Sequence, residues 1–100
     1  MSVFMILRVP GDPKTFEQYA AGNAEMMIRI ADAGKEAGAT RHAFAAGDDE
    51  ILVIDEWPDE GSFQKFFESQ PEIPRLMQEG GAKGAPQISF YQKLNTPDIF

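Results

Sequence analysis

The chain has 100 residues, 43% of them hydrophobic, which fits a single domain that spans residues 1–100. Sixteen acidic against nine basic residues give a formal net charge of −7. This charge argues against nucleic acid or an anionic membrane as a partner, because binding to both depends on Lys and Arg. The absence of Cys excludes disulfides and cysteine nucleophiles, and the short apolar start predicts neither a membrane span nor a signal peptide, so we expect a cytoplasmic protein.

The first part of the chain predicts a strand, a long helix and a second strand. Residues 2–9 are apolar at both odd and even positions, which is typical of a strand covered on both faces. Asp12 and Pro13 suit the start of a helix, and Gly38 suits its left-handed end. The apolar stripe of this helix is formed at near 3.6-residue spacing by Phe16, Tyr19, Asn23, Met27, Ile30 and Ala37. Residues 40–46 then predict a strand.

The second part of the chain predicts a hairpin, two helices and a final strand. A turn at residues 47–49 joins the second strand to a third over Glu50–Trp57. Asp59 is the expected cap of a helix that ends near Ser69 and carries an aromatic stripe at positions i, i+3 and i+4. Its stripe residues are Phe63, Phe66 and Phe67. A short helix starts at Pro71, a Gly-rich loop covers residues 80–86, and residues 87–94 alternate as a last strand.

The predicted order is β-α-β-β-α-β, which is the ferredoxin-like α+β fold with helices on one face of a four-stranded antiparallel sheet. The first strand and residues 51–54 are apolar on both sides, so the second face of the sheet also needs a cover. A single chain of this topology has nothing left to place there. We therefore expect a homodimer in which two sheets pack face to face as a dimeric α/β barrel.

Three segments resemble the dimeric α/β-barrel proteins of the antibiotic-biosynthesis-monooxygenase type. They are the run through Glu56, Trp57, Phe63 and Phe66, the turn over residues 69–73, and the Gly-rich loop that ends at Pro86. The resemblance covers nearly the whole chain. Its family includes cofactor-independent oxygenases of quinols or polyketide aromatics, haem-degrading enzymes and isomerases. The resemblance thus implies a small apolar or aromatic ligand and no cofactor.

The haem-degrading branch of the family is not expected here. Those members use an Asn near the end of the first strand, a Trp in the aromatic helix and an iron-binding His in the next helix. The corresponding positions here are Arg8 or Val9, Phe66 and Leu76. None of them supplies the haem-specific group.

His42 is the single histidine and the candidate catalytic base, because imidazole readily exchanges protons near neutral pH. Its neighbour Arg41 is a candidate to hold an anionic oxygen of a substrate. The commoner role for such a His is that of a partly buried strand residue that is hydrogen-bonded to a neighbour. A lone His does not make a conventional zinc site, so no metal is predicted.

Four further residues are candidates for substrate binding, each with a structural alternative. Trp57 suits stacking on a flat substrate, but it equally suits a plug at the corner between strand and helix. Asn23 interrupts an apolar stripe and needs either a ligand or a protein partner. Tyr19 and Tyr91 suit hydrogen bonding to a carbonyl, or a position at an amphipathic rim.

The sequence therefore supports two functional hypotheses. The first is a homodimer that binds a small, flat molecule and acts as a cofactor-independent monooxygenase of quinol or polyketide-like aromatics. The alternative is a non-enzymatic binding or structural dimer with a vestigial pocket.

Overall fold

The computed structural model describes residues 2–100, which form one sheet with helices on one side. The strands are β1 (Val3–Pro10), β2 (Arg41–Gly47), β3 (Glu50–Trp57) and β4 (Gln87–Gln92). The helices are α1 (Pro13–Gly22), α2 (Ala24–Glu36), α3 (Glu60–Ser69) and α4 (Glu72–Glu79). The strand order is β2-β3-β1-β4 and every neighbouring pair is antiparallel, which confirms the predicted ferredoxin-like fold.

The long helix predicted over residues 13–38 is wrong in one respect, because it is broken at Asn23 into α1 and α2. The Asn23 side chain donates from Nδ2 to the carbonyl oxygen of Tyr19 at 2.8 Å, and its backbone N–H turns to Ala20. An amide that bonds the backbone locally competes with the helical ladder. Ala37, assigned to the stripe, lies just past the end of α2 and is an exposed cap residue.

Local signals set the other ends of the helices as predicted. Asp12 caps α1 by accepting from the backbone N–H of Lys14, and Asp59 caps α3 by accepting from that of Ser62. Gly38 follows α2 with a φ of 115°. Its N–H and that of Ala39 return to the last turn of α2, which is a Schellman end.

The core lies between the helices and one face of the sheet. β1 supplies the centre of this face through Met5, Leu7 and Val9, which are at most 4% exposed. Around them lie buried residues of the helices and of β3: Phe16, Ile51, Trp57, Phe63 and Leu76. The helices thus cover only one face of the sheet.

The opposite face of the sheet, here called the back face, has no cover within the described chain. At its centre Ile54 of β3 is 40% exposed, and at its edge Tyr91 of β4 is 57% exposed. The strand pairing places Ala43, Leu52, Ile6 and Phe4 on the same face. The back face is therefore largely apolar along the middle of the sheet.

Candidate functional site

A cavity of about 300 Å³ lies between the sheet and the helices. Its floor is formed by β1 and β3, and its roof by aromatic and aliphatic side chains of α2, α3 and α4. The roof residues include Met27, Ile30, Phe66, Phe67, Ile73 and Met77. This volume is at the lower end of the range for small-molecule sites, and an apolar lining with few polar groups is typical of them.

The cavity reaches solvent beside the edge strand β2. His42 lines it there with 40% of its side chain exposed, and the next inward residue of β2, Phe44, is 36% exposed. The two rings meet edge to face with centroids 5.1 Å apart, and Phe44 also packs on Phe16 at 4.8 Å. His42 is thus held at the boundary between the apolar cavity and water.

Asp55 lies within hydrogen-bond distance of two candidate site residues, His42 and Trp57. It lies opposite His42 in the β2–β3 hairpin and is 6% exposed. Its Oδ1 is 2.6 Å from Nδ1 of His42, and its Oδ2 accepts a 3.1 Å hydrogen bond from Nε1 of Trp57. A buried carboxylate is costly without partners, and this one has a nitrogen partner at each oxygen.

Trp57 itself is 1% exposed, although its ring forms part of the cavity wall. It packs edge to face on Phe63 at 5.6 Å and against Phe66 at 5.3 Å. Gly34 of α2 lies over it, since a Cβ there would be 3.9 Å from the indole and 3.6 Å from Phe66. The indole is therefore both a core plug and a wall of the cavity, and stacking on a substrate stays a prediction.

Arg41 contributes to the cavity wall, but its guanidinium group is engaged elsewhere. Successive residues of a strand point to opposite faces, and the Arg41 Nε lies 3.4 Å from Glu56 on the back face. Glu56 is 5% exposed and also accepts from Lys93, Thr40 and Ser2. The hydrogen bond from Lys93 is the main cause that holds the pKa of Glu56 below its ordinary value, and the bonds from Thr40 and Ser2 act in the same direction.

The remaining candidate residues do not line the cavity. Asn23 is bonded to the backbone of Tyr19, whose hydroxyl in turn donates to Glu79 at 2.9 Å. Burial, followed by this bond, raises the pKa of Tyr19, so its hydroxyl stays protonated in its bond to Glu79. Tyr91 lies on the back face opposite Phe4. These three residues thus lie outside the cavity lining, and substrate binding by them stays a prediction.

Asp55 was missed by the sequence reasoning, although two signals point to it. Along β3 it shares the helix-covered face of the sheet with Val53 and Trp57, and a charge buried there needs partners. The turn at Asp48 and Asp49 has two residues, and counting back from it pairs residue 55 with residue 42. Register, rather than composition, makes this carboxylate part of the site.

Residues 2–100 hold neither a metal-binding cluster of side chains nor a membrane-spanning helix. Within that range, no group of three or more His, Cys, Asp or Glu side chains is placed to hold a metal ion. No helix in the same range has the length and apolar character needed to cross a membrane.

Solved structures with the same architecture provide the comparison with known proteins. SnoaB, a cofactor-independent oxygenase from Streptomyces nogalater, matches with a TM-score of 0.63 and 19% identity over 98% of both chains. A monooxygenase from the gene ActVA-Orf6 of Streptomyces coelicolor, solved with nanaomycin D, matches with a TM-score of 0.68 and 16% identity over 95% of this chain and 89% of the other. A protein called an antibiotic biosynthesis monooxygenase gives 0.64 and 11% over 93% and 99%.

The chain has the fold of the antibiotic-biosynthesis monooxygenases. This likeness confirms the resemblance seen in the sequence and extends over almost all of each chain compared. At these identities the antibiotic-biosynthesis-monooxygenase fold is shared, but an activity is not thereby assigned. No protein-family model and no curated protein sequence matches the chain.

Proposed function

We propose that this protein binds a small, flat, largely apolar aromatic molecule and oxidises it with dioxygen without a cofactor, as a monooxygenase of quinol or polyketide-like phenols. The observation that carries the proposal is the position of His42. It is the single imidazole of the chain, it borders an apolar cavity, and a buried carboxylate lies at hydrogen-bond distance from its Nδ1. A base in such a position takes a proton from a hydroxyl group that enters the cavity.

The proposed reaction begins when Nε2 of His42 takes the proton of a phenolic hydroxyl. The resulting anion is electron-rich at the ring carbons ortho and para to the oxygen, and it gives electrons to dioxygen as a carbon–oxygen bond forms at one of these carbons that carries a hydrogen. Cleavage of the O–O bond leaves one oxygen atom on that carbon as a carbonyl. The other oxygen leaves as water with the hydroxyl hydrogen and the ring hydrogen, so the substrate itself is the reductant.

The cavity supports this chemistry in two further ways. Its apolar lining suits a flat aromatic ring, and the anion that forms beside His42 is stabilised by the imidazolium ion produced in the same step. SnoaB is named a cofactor-independent oxygenase and the ActVA-Orf6 protein a monooxygenase, and both share the fold. Arg41 stays a proposed secondary contact, because its guanidinium group would first have to leave Glu56.

A binding function without catalysis is the second candidate. It is favoured by the small number of polar groups at the cavity, where the Trp57 N–H and Nδ1 of His42 both have protein partners. A ligand would then find mainly apolar contacts, with polar side chains at Lys35, Thr40, Arg41 and His42. Such a site suits the storage or transport of an aromatic molecule.

We also propose that two copies pair through their back faces, as in the barrel expected from the sequence. The central back-face side chains are apolar, and Ile54 and Tyr91 are left exposed by the single chain. A self-complementary apolar sheet face is the usual basis of a twofold dimer. Neither nucleic acid nor a membrane is proposed as a partner, because the net charge is −7.

Oxygen uptake measured with a panel of quinols, naphthols and anthrone-type phenols tests the enzymatic proposal. Wild-type protein should consume oxygen with at least one substrate, and His42→Ala should lose most of this activity, by about 100-fold or more. Gln64→Ala, on the exposed side of α3, is the control that should keep it. Binding is followed separately through the fluorescence of Trp57, the single tryptophan.

The outcomes separate the two candidates. A fluorescence change in both wild type and His42→Ala, together with turnover in the wild type alone, supports the oxygenase. Binding by both proteins with no oxygen uptake supports the non-enzymatic function. No binding and no turnover across the panel would remove both.

A further inference from the structure

We infer that Asp55 and Trp57 together fix the tautomer of His42, with Asp55 as a positioning residue and Trp57 as the group that orients it. This inference deepens the proposed function, since it explains how the candidate base is kept ready. It rests on three side chains that the β2–β3 hairpin brings onto one face of the sheet. The proposal assigns no substrate contact to Asp55.

The contact with Asp55 decides which nitrogen of His42 carries the proton. A carboxylate accepts hydrogen bonds but does not donate them, so the 2.6 Å contact with Oδ1 of Asp55 requires a proton on Nδ1. In the neutral imidazole the other nitrogen, Nε2, is then unprotonated. That nitrogen is the one left for a substrate at the cavity, and it is in the form that accepts a proton.

The carboxylate of Asp55 is itself held in place by Trp57 and the surrounding core. Asp55 is 6% exposed and sits inside the sheet, next to Met5 of β1, which is fully buried. Its second oxygen accepts from the Trp57 N–H at 3.1 Å, and the indole is fixed by Phe63 and Phe66. The Asp55 group therefore cannot rotate without leaving the indole N–H unpaired in the core, at a cost of about 1–3 kcal/mol.

Replacement of Asp55 by Asn should change the tautomer of His42, an effect that a merely structural Asp55 would not have. In Asp55→Asn the side chain has one oxygen and one NH₂ group. The Trp57 N–H still demands an acceptor, so the amide oxygen turns to Trp57 and the NH₂ group faces His42. Nδ1 must then accept, which moves the imidazole proton to Nε2 and removes the free base from the cavity.

Nitrogen NMR of protein labelled at histidine tests this directly, because His42 gives the single imidazole signal set. In wild type at a pH where the ring is neutral, we expect Nδ1 to be protonated and Nε2 to be unprotonated. Asp55→Asn should reverse the two signals. The double variant Asp55→Asn with Trp57→Phe should restore the Nδ1-protonated form at least in part, since the amide is then free to turn its oxygen to His42.

The control is Glu56→Gln, which changes the adjacent and equally buried carboxylate on the back face of the sheet. It should leave the His42 tautomer as in the wild type. A wild-type protein with the proton mainly on Nε2 would overturn the inference without any variant. So would an Asp55→Asn protein that unfolds cooperatively, and is therefore folded, but keeps the wild-type tautomer.

If an oxidisable substrate is found, activity gives a second readout. Asp55→Asn should lower kcat by at least about 100-fold, because the base is then in the wrong form. KM should change by no more than about threefold, since both oxygens of Asp55 are engaged by His42 and Trp57 and the proposal assigns it no substrate contact. Absence of any substrate would count against the proposed function but would leave the tautomer result standing, so the two failures are distinguishable.

Discussion

The indole Nε1 of Trp57 donates a 3.1 Å hydrogen bond to Oδ2 of Asp55, two residues earlier on the same strand. We predict that Trp57→Phe lowers the free energy of unfolding by about 1–3 kcal/mol, because the buried carboxylate loses a donor. Urea unfolding followed by circular dichroism measures this change. Trp57→Leu serves as the comparison, since it should cost more by also removing aromatic contacts with Phe63 and Phe66. A Trp57→Phe protein as stable as the wild type would show that this bond contributes nothing.

Gly34 of α2 sits where the helix passes closest to Trp57 and Phe66. Because a Cβ there would be 3.6 Å from the Phe66 ring, Gly34→Ala should raise the free energy of unfolding by about 0.5–1 kcal/mol through helix propensity. A larger side chain has no such room, and Gly34→Leu should lower it by about 1–3 kcal/mol through overpacking.

Gly22 provides the matched control for these substitutions. A Cβ at Gly22 would meet nothing within 4 Å, so both Gly22→Ala and Gly22→Leu should be tolerated. Urea midpoints of the four variants test the prediction. A Gly34→Leu protein with the same urea midpoint as Gly22→Leu would contradict the close approach of α2 to Trp57 and Phe66.

Glu56 should contribute to the acid sensitivity of the fold. Its pKa is lowered in the folded protein, chiefly by the hydrogen bond from Lys93. The stability that this group supplies is present above the pKa of an unfolded Glu, about 4.3, and is lost as the pH falls through the lower folded pKa. Glu56→Gln should therefore reduce stability near neutral pH and flatten its decline below about pH 4.3.

Thermal unfolding across the range from pH 7 to strongly acid conditions measures this effect. Lys93→Met should change the curve in the same direction, because it removes the main cause of the lowered pKa of Glu56. If the two variants and the wild type lost stability in parallel as the pH fell, the assignment to Glu56 would be wrong.

Ile54 lies at the centre of the back face and is 40% exposed in the single chain. If two back faces pair, Ile54→Glu buries an unpaired charge in the interface and should convert the dimer to a monomer. Sedimentation velocity at micromolar concentration measures the assembly. Ile28→Glu is the matched control, since Ile28 is 61% exposed on α2 and away from the back face. A wild-type protein that sediments as a monomer would exclude the barrel.

The fold was predictable because its main signals are local. The bounds of β3 and the cap at Asp59 follow from apolar runs and from single residues that stop or start an element. The break at Asn23 was not predicted, since the bond from its side chain to the carbonyl of Tyr19 competes with a helix pattern that continues through it. Periodicity alone does not report such a local alternative.

The site was predictable only in part. His42 and Trp57 were identified by residue type, and both line the cavity. Asp55 was missed because its role depends on which residues face each other across two strands. Tyr91 was selected for its hydroxyl, but the alternation of side chains along β4 places it on the back face. Residue chemistry suggested candidates, and the pairing of strands decided between them.

The two-residue turn at Asp48 and Asp49 has a remote effect on chemistry. Asp49 adopts a φ of 53°, in the left-handed region, and this turn sets which residues of β2 and β3 are opposite each other. Since facing alternates with every residue, a single deletion in that turn that shifted the pairing by one would rotate the imidazole out of the cavity, about 20 Å from the altered residue. Loop length at one end of the hairpin would thus govern whether a proton acceptor exists at the other.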